Sequence, residues 1–103
     1  MTQSRIEQLK AILAQDPGNQ LTRYALGMEY SGTGEIDAAV AEFKQLLQAN
    51  PDYANAYFMA AQALAGAGRR EEARQMLTDG IAAAQRSGNQ HAQSEMQQML
   101  EDI

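Results

Sequence analysis

The chain has 103 residues, 45% of them hydrophobic and 6% aromatic, with a formal net charge of −5 and no cysteine. That length and apolar content suit one continuous core and argue against disorder. The acidic balance opposes binding to a phosphate backbone or an anionic membrane surface. The lack of thiols removes disulfide frameworks, thiolate metal sites and cysteine nucleophiles.

Much of the apolar content is Ala, so the core must come from helices packed closely through small side chains. The first segment, near residues 4–15, spaces Ile6, Leu9, Ile12 and Leu13 at helical period, and Ser4 and Glu7 stand at capping-box spacing. The stretch from Met1 to Arg5 runs into it without the apolar core of a secretory signal, so a cytoplasmic location is expected. Asp16-Pro17 ends this segment, and Asn19 stands where a cap is wanted for a second helix near 20–32.

Leu26 and Tyr30 give that second helix its apolar spacing, and Gly32-Thr33-Gly34 closes it. A third helix near 35–49 carries Ile36, Val40, Phe43 and Leu47. Asn50-Pro51 breaks the chain again. Asp52 is placed to cap a fourth helix near 53–66, with Tyr57, Ala60, Ala61 and Leu64 inward. Gly66-Ala67-Gly68 precedes a fifth near 69–87, built on Ala73, Met76, Leu77 and Ile81. Gly88 closes it, and Asn89 caps a sixth near 90–102. No segment alternates with period two for long enough to make a strand, and no uninterrupted apolar run is long enough to span a bilayer.

The punctuation repeats. A step of 34 residues carries Pro17 to Pro51, Tyr24 to Phe58, Gly32 to Gly66, Gly34 to Gly68 and Ala39 to Ala73, the signature of an internally repeated unit.

A two-helix unit of this length resembles the tetratricopeptide repeat. Leu26, Gly27, Tyr30, Gly34, Ala39, Phe43 and Pro51 match the family pattern in one unit. Tyr57, Ala60, Ala61, Leu64, Gly68, Ala73 and Leu77 match it in the next, with Ala61 where Gly27 stood. Arg23 departs from the large aromatic expected early in the first unit, Gly80 replaces the usual Ala, and Gln85 replaces the closing proline. The fifth helix is therefore expected to run on to Ser87.

The resemblance implies an all-α, right-handed superhelical stack of antiparallel helix pairs, about six helices in one domain over 1–103. Its parts would be a lone B-type helix at 4–17, repeats at 20–53 and 54–87, and a capping helix at 90–103. Arg5 stands where the family wants a buried Ala, which suits a B helix with no partner packed before it. About three units are what such stacks need.

Reactive groups are few, and no catalytic, metal or cofactor site is assigned. His91 is the only histidine, and Glu95 is the sole carboxylate at a neighbouring helical position. Glu35 and Asp37, like Glu71 and Glu72, read as favourable charges at helix starts rather than metal ligands. The Gly-x-Gly turns follow helices, so they are not dinucleotide loops.

By resemblance, the inner faces of the first helices of each unit line a groove for a partner protein or peptide. Leu21, Tyr24, Met28 and Ser31 would line it with Asn55, Phe58, Gln62 and Ala65, and none of these is charged. Tyr24, Met28 and Met59 stand where the basic clamp for an acidic carboxyl terminus would need Lys, Asn and Asn. An apolar anchor is therefore the expected ligand, received around Leu21, Tyr24, Met28, Asn55, Phe58 and Gln62. Packing between neighbouring helices would also account for these side chains. The alternative function is self-assembly into a homodimer, with Met96, Met99 and Leu100 of the last helix docking on a second copy, although Met96 and Met99 at helical spacing also read as core. Neither nucleic acid nor membrane is expected as a partner.

Overall fold

A computed structural model describes the backbone of residues 2–103 and the side chains from residue 4. Met1 and the side chains of residues 2 and 3, part of the amino-terminal stretch read above, lie outside the described residues. Six helices follow one another: α1 (Thr2–Gln15), α2 (Gln20–Gly32), α3 (Ile36–Ala49), α4 (Ala54–Gly66), α5 (Arg70–Ser87) and α6 (Gln90–Asp102). There is no strand among the described residues. Each helix packs against the next, and α4 also touches both α2 and α6. The even-numbered helices therefore lie side by side along one face of the stack.

The turns explain why the pairs are antiparallel. Gly34 and Gly68 each follow a helix end with φ +79°, and Gly88 with φ +73°, a left-handed conformation that a Cβ would oppose. Beyond each glycine the next amide folds back on the preceding helix. Glu35 N–H donates to the Tyr30 carbonyl at 2.9 Å, Arg69 to Leu64 at 2.9 Å and Asn89 to Ala84 at 2.8 Å. These bonds satisfy carbonyls that a helix end leaves open.

Two of the expected caps form. Asn19 Oδ1 accepts from Thr22 N–H at 3.0 Å, and Asn89 Oδ1 from Ala92 N–H at 3.1 Å. Asn19→Ala should cost about 1 kcal/mol of unfolding free energy, measurable by urea denaturation; an unchanged midpoint would remove the cap from the stability account.

Two other caps do not form as the spacing suggested. Ser4 lies inside α1, because the helix begins at Thr2. Asp52 is displaced by one residue, since Tyr53 occupies the cap position. The Asp52 carboxylate instead takes the Arg86 guanidinium at 2.6 Å, tying the end of α5 to the turn before α4.

The core runs through the stack as Phe43, Leu46, Leu64, Leu77 and Met96, all within a lattice of buried Ala39, Ala56, Ala60, Ala61, Ala73 and Ala84. A second cluster joins Ile6, Leu9 and Leu13 of α1 to Leu26 of α2. Ile12, expected inward with them, is 46% exposed. Among the described residues α1 packs on α2 alone of the helices, so Ile12, on the side turned away from α2, stands open.

Glycine allows close helix approach at two points. A Cβ on Gly80 of α5 would stand 2.5 Å from Met96 Sδ and 2.7 Å from Tyr57 Cβ. One on Gly27 of α2 would meet the Phe43 ring at 2.7 Å. The small residue at 80 thus lets α4 and α6 converge on α5.

Arg23, the departure from the family pattern, is explained by its bonds. Its guanidinium donates to the Pro17 carbonyl at 3.1 Å, as Tyr57 Oη, 34 residues further on, donates to the Pro51 carbonyl at 2.7 Å. Arg23 also pairs with Glu42 of α3 at 2.8 Å, both side chains mostly buried. A cation with a partner across the helix pair has replaced an aromatic while keeping its bond to the loop.

Candidate functional site

The expected groove residues separate into packed and open ones. Tyr24 is half-buried, with its ring 5.9 Å from that of Phe43 and 5.6 Å from that of Tyr53. Burial, and then the neighbouring Tyr53, push its phenol above the ordinary range. Tyr24 thus contributes more to helix packing than to an open surface. Leu21 and Met28 are open, at 72% and 39% exposure. Asn55 and Gln62 are also exposed, and Phe58 is half-buried.

The register of α6 follows from its cap. Met96 lies seven residues beyond Asn89, as Leu26 lies seven beyond Asn19 and Ala60 seven beyond Tyr53. All three are buried core positions. By the same count Leu21, Asn55 and His91 are equivalent, as are Tyr24, Phe58 and Ser94, and Met28, Gln62 and Gln98. The face expected from two helices continues onto a third. The step from α4 to α6 is two residues longer than the repeat, because α5 runs on to Ser87.

The same register sets where the residues expected to self-associate stand. Met96 is fully buried, seated over Gly80 and Tyr57. Met99 and Leu100 are half-buried against the same core. The three do not form an exposed apolar end.

Between α4 and α6 the structure opens a groove of about 570 Å³. Phe58 and Gln62 line it from α4; Ser94, Gln98 and Met99 line it from α6, with His91, Glu95 and Asp102 around them. Phe58 and Met99 supply apolar contact, and the other side chains are polar. The sequence reading missed the α6 contribution, although counting from Asn89 would have found Ser94 and Gln98.

The charges of the groove are distinctive. All eight Lys and Arg residues lie outside α4 and α6: Arg5 and Lys10 on α1, Arg23 on α2, Lys44 on α3, Arg69 in the turn before α5, and Arg70, Arg74 and Arg86 on α5. Several are already paired. Arg69 holds Asp37 at 2.6 Å and Glu72 at 2.7 Å, and its hydrogen bond keeps the Glu72 carboxyl below the usual range. In contrast, Glu95 has only the His91 imidazole, at 3.4 Å, and Asp102 accepts from Gln98 Nε2 at 3.3 Å. Neither has a Lys or Arg within ion-pair distance among the described residues.

The His91–Glu95 pair is exposed on both sides and holds no nucleophile between its members. Among the described residues, no group of three or more His, Asp or Glu side chains is arranged to hold a metal ion. No helix is long and apolar enough to cross a membrane among the same residues.

Antiparallel helix pairs that repeat at 34 residues, close through Gly turns and align their first helices on one face define a helical-repeat protein. The tetratricopeptide repeat model matches residues 30–99, and the chain belongs to that family. A TPR repeat-containing protein of Pseudomonas aeruginosa is 30% identical over 98 residues, 95% of this chain and 93% of its own. A protein of Bordetella parapertussis solved in solution superposes with a TM-score of 0.80 at 37% identity, covering 94% of this chain and 84% of that one. A tetratricopeptide repeat domain protein of Salinibacter ruber gives 0.76 at 30%, over 84% and 88%. The fold is that of a protein-protein interaction module.

Proposed function

We propose that this protein is a non-catalytic adaptor or scaffold whose face along α2, α4 and α6 receives an apolar segment of a partner protein. We propose further that it is organised as a lone B-type helix, two repeats and a capping helix. The observation that carries the binding reading is the α4–α6 groove. Phe58 and Met99 offer apolar surface there, in a concavity large enough for one or two side chains of a partner, and exposed Met28 and Leu21 continue that apolar character along the neighbouring helix. Aromatic and Met side chains give large, adaptable contact area, and apolar anchors held in pockets dominate interface energies.

The test is selection of random peptides displayed on phage against the immobilised protein, followed by affinity measurement on Ser94→Trp. Ser94 is exposed, so the indole would fill the groove without disturbing the core. Selected peptides should lose at least about tenfold in affinity, the worth of roughly 1.4 kcal/mol, while helicity by circular dichroism is unchanged. Peptides that bind both proteins equally would place the binding surface elsewhere.

A further inference from the structure

The partner segment has a definable chemistry. The α4–α6 groove has an apolar floor, two carboxylates on its rim and no Lys or Arg on either helix. The basic residues elsewhere are in part neutralised within the stack: Arg23 by Glu42, Arg69 by Asp37 and Glu72, Arg86 by Asp52. Arg74, which reaches the end of α6, donates to the Ile103 main-chain oxygen and is paired with Glu71. Glu95 and Asp102 therefore line the groove with no Lys or Arg within ion-pair distance among the described residues. Asp102 is the last residue of α6, where open carbonyls add further negative character.

We propose that the segment bound in this groove is basic as well as apolar: a Leu, Met or aromatic anchor seated on Phe58 and Met99, with Lys or Arg within about four positions of it to meet Glu95 and Asp102. This rests on the reading of the groove as the binding face. Glu95 and Asp102 are seven residues apart on one helix, about 10 Å along its axis. Three residues of extended chain cover that distance, so two basic residues can bracket one anchor. The chain's net charge of −5 draws such a segment in from solution, and the rim carboxylates fix its register. An acidic or carboxyl-terminal tail meets repulsion at the same rim.

The experiment uses the displayed library on the full chain, with fluorescein-labelled copies of the enriched peptides titrated against wild type, Glu95→Gln/Asp102→Asn and Ser94→Trp. Enriched sequences should pair an apolar anchor with Lys or Arg. The double variant should bind them about three- to tenfold more weakly, the range of one or two rim ion pairs, and the difference should shrink as salt is raised. Neutral or acidic peptides that lose binding on Ser94→Trp but not on Glu95→Gln/Asp102→Asn would overturn the charge assignment and leave the groove standing. Enriched peptides insensitive to Ser94→Trp, or the absence of any enrichment, would overturn both.

Discussion

Met96→Glu is expected to unfold the protein or leave it close to unfolding. Met96 is fully buried and its sulfur occupies the space that the missing Gly80 side chain leaves open. A carboxylate placed there would stand against Gly80 and Tyr57, which offer no cation, while Arg74 and Arg86 of α5 are already paired with Glu71 and Asp52. Isolated buried charge costs several kcal/mol, about 3–5 kcal/mol in single substitutions of this kind. That is comparable with the 5–15 kcal/mol available to a domain of ordinary stability. Met96→Leu, which keeps volume and polarity, should cost less than about 1.5 kcal/mol. Urea titrations followed by circular dichroism separate the cases. A glutamate variant as stable as the leucine one would mean that Met96 faces solvent and that α6 packs in another register.

Gly27→Ala should be destabilising in this chain and much less so in the presence of Phe43→Leu. The new Cβ would lie 2.7–3.0 Å from three atoms of the Phe43 ring, and Phe43 is wholly enclosed, so the ring can give way only by displacing its core neighbours. Overpacking of this kind costs about 1–3 kcal/mol, against a gain of about 1 kcal/mol from replacing Gly within a helix. In the next helix pair the same two positions hold Ala61 and Leu77, both fully buried. A larger residue on one helix is matched there by a smaller one on its neighbour. Phe43→Leu on its own removes core contact and lowers stability. The double variant should nonetheless show a favourable coupling of at least about 1 kcal/mol in a double-mutant cycle. If Gly27→Ala is stabilising by itself, the close approach of α2 and α3 is wrong.

The parts of the fold that were legible in the sequence are those governed by local rules. Gly34, Gly68 and Gly88 mark turns because only the backbone at those points needs positive φ, and Asn19 and Asn89 cap because their side chains reach amides three residues on. Asp52 failed as a cap because its local bond lost to a partner 34 residues away, Arg86. Ile12 is open and Met96 is core rather than an exposed end for a related reason. A periodic apolar stripe says which residues share a helix face, but not whether a neighbouring helix covers it. α1 leaves Ile12 open because it packs on one helix, whereas α6 sinks Met96 between α4 and α5.

The groove was half legible. Phe58 and Gln62, expected on the inner face of α4, line the α4–α6 groove, while Tyr24 packs against Phe43 and Tyr53. Ser94, Glu95, Gln98 and Asp102 were not assigned, because α6 begins two residues later than the 34-residue step allows. Glu95 and Asp102 are surface carboxylates like many others until the three even-numbered helices are set side by side. That neither has a Lys or Arg within ion-pair distance among the described residues is a property of the assembled stack.

The most direct test of the account is a map of amide chemical-shift changes when the most strongly selected peptide is titrated into isotopically labelled protein. Changes concentrated on Phe58, Gln62, Ser94, Glu95, Gln98 and Met99 are the predicted result. Changes concentrated on α3 and α5, with the α4–α6 groove silent, would contradict the assignment of the binding face.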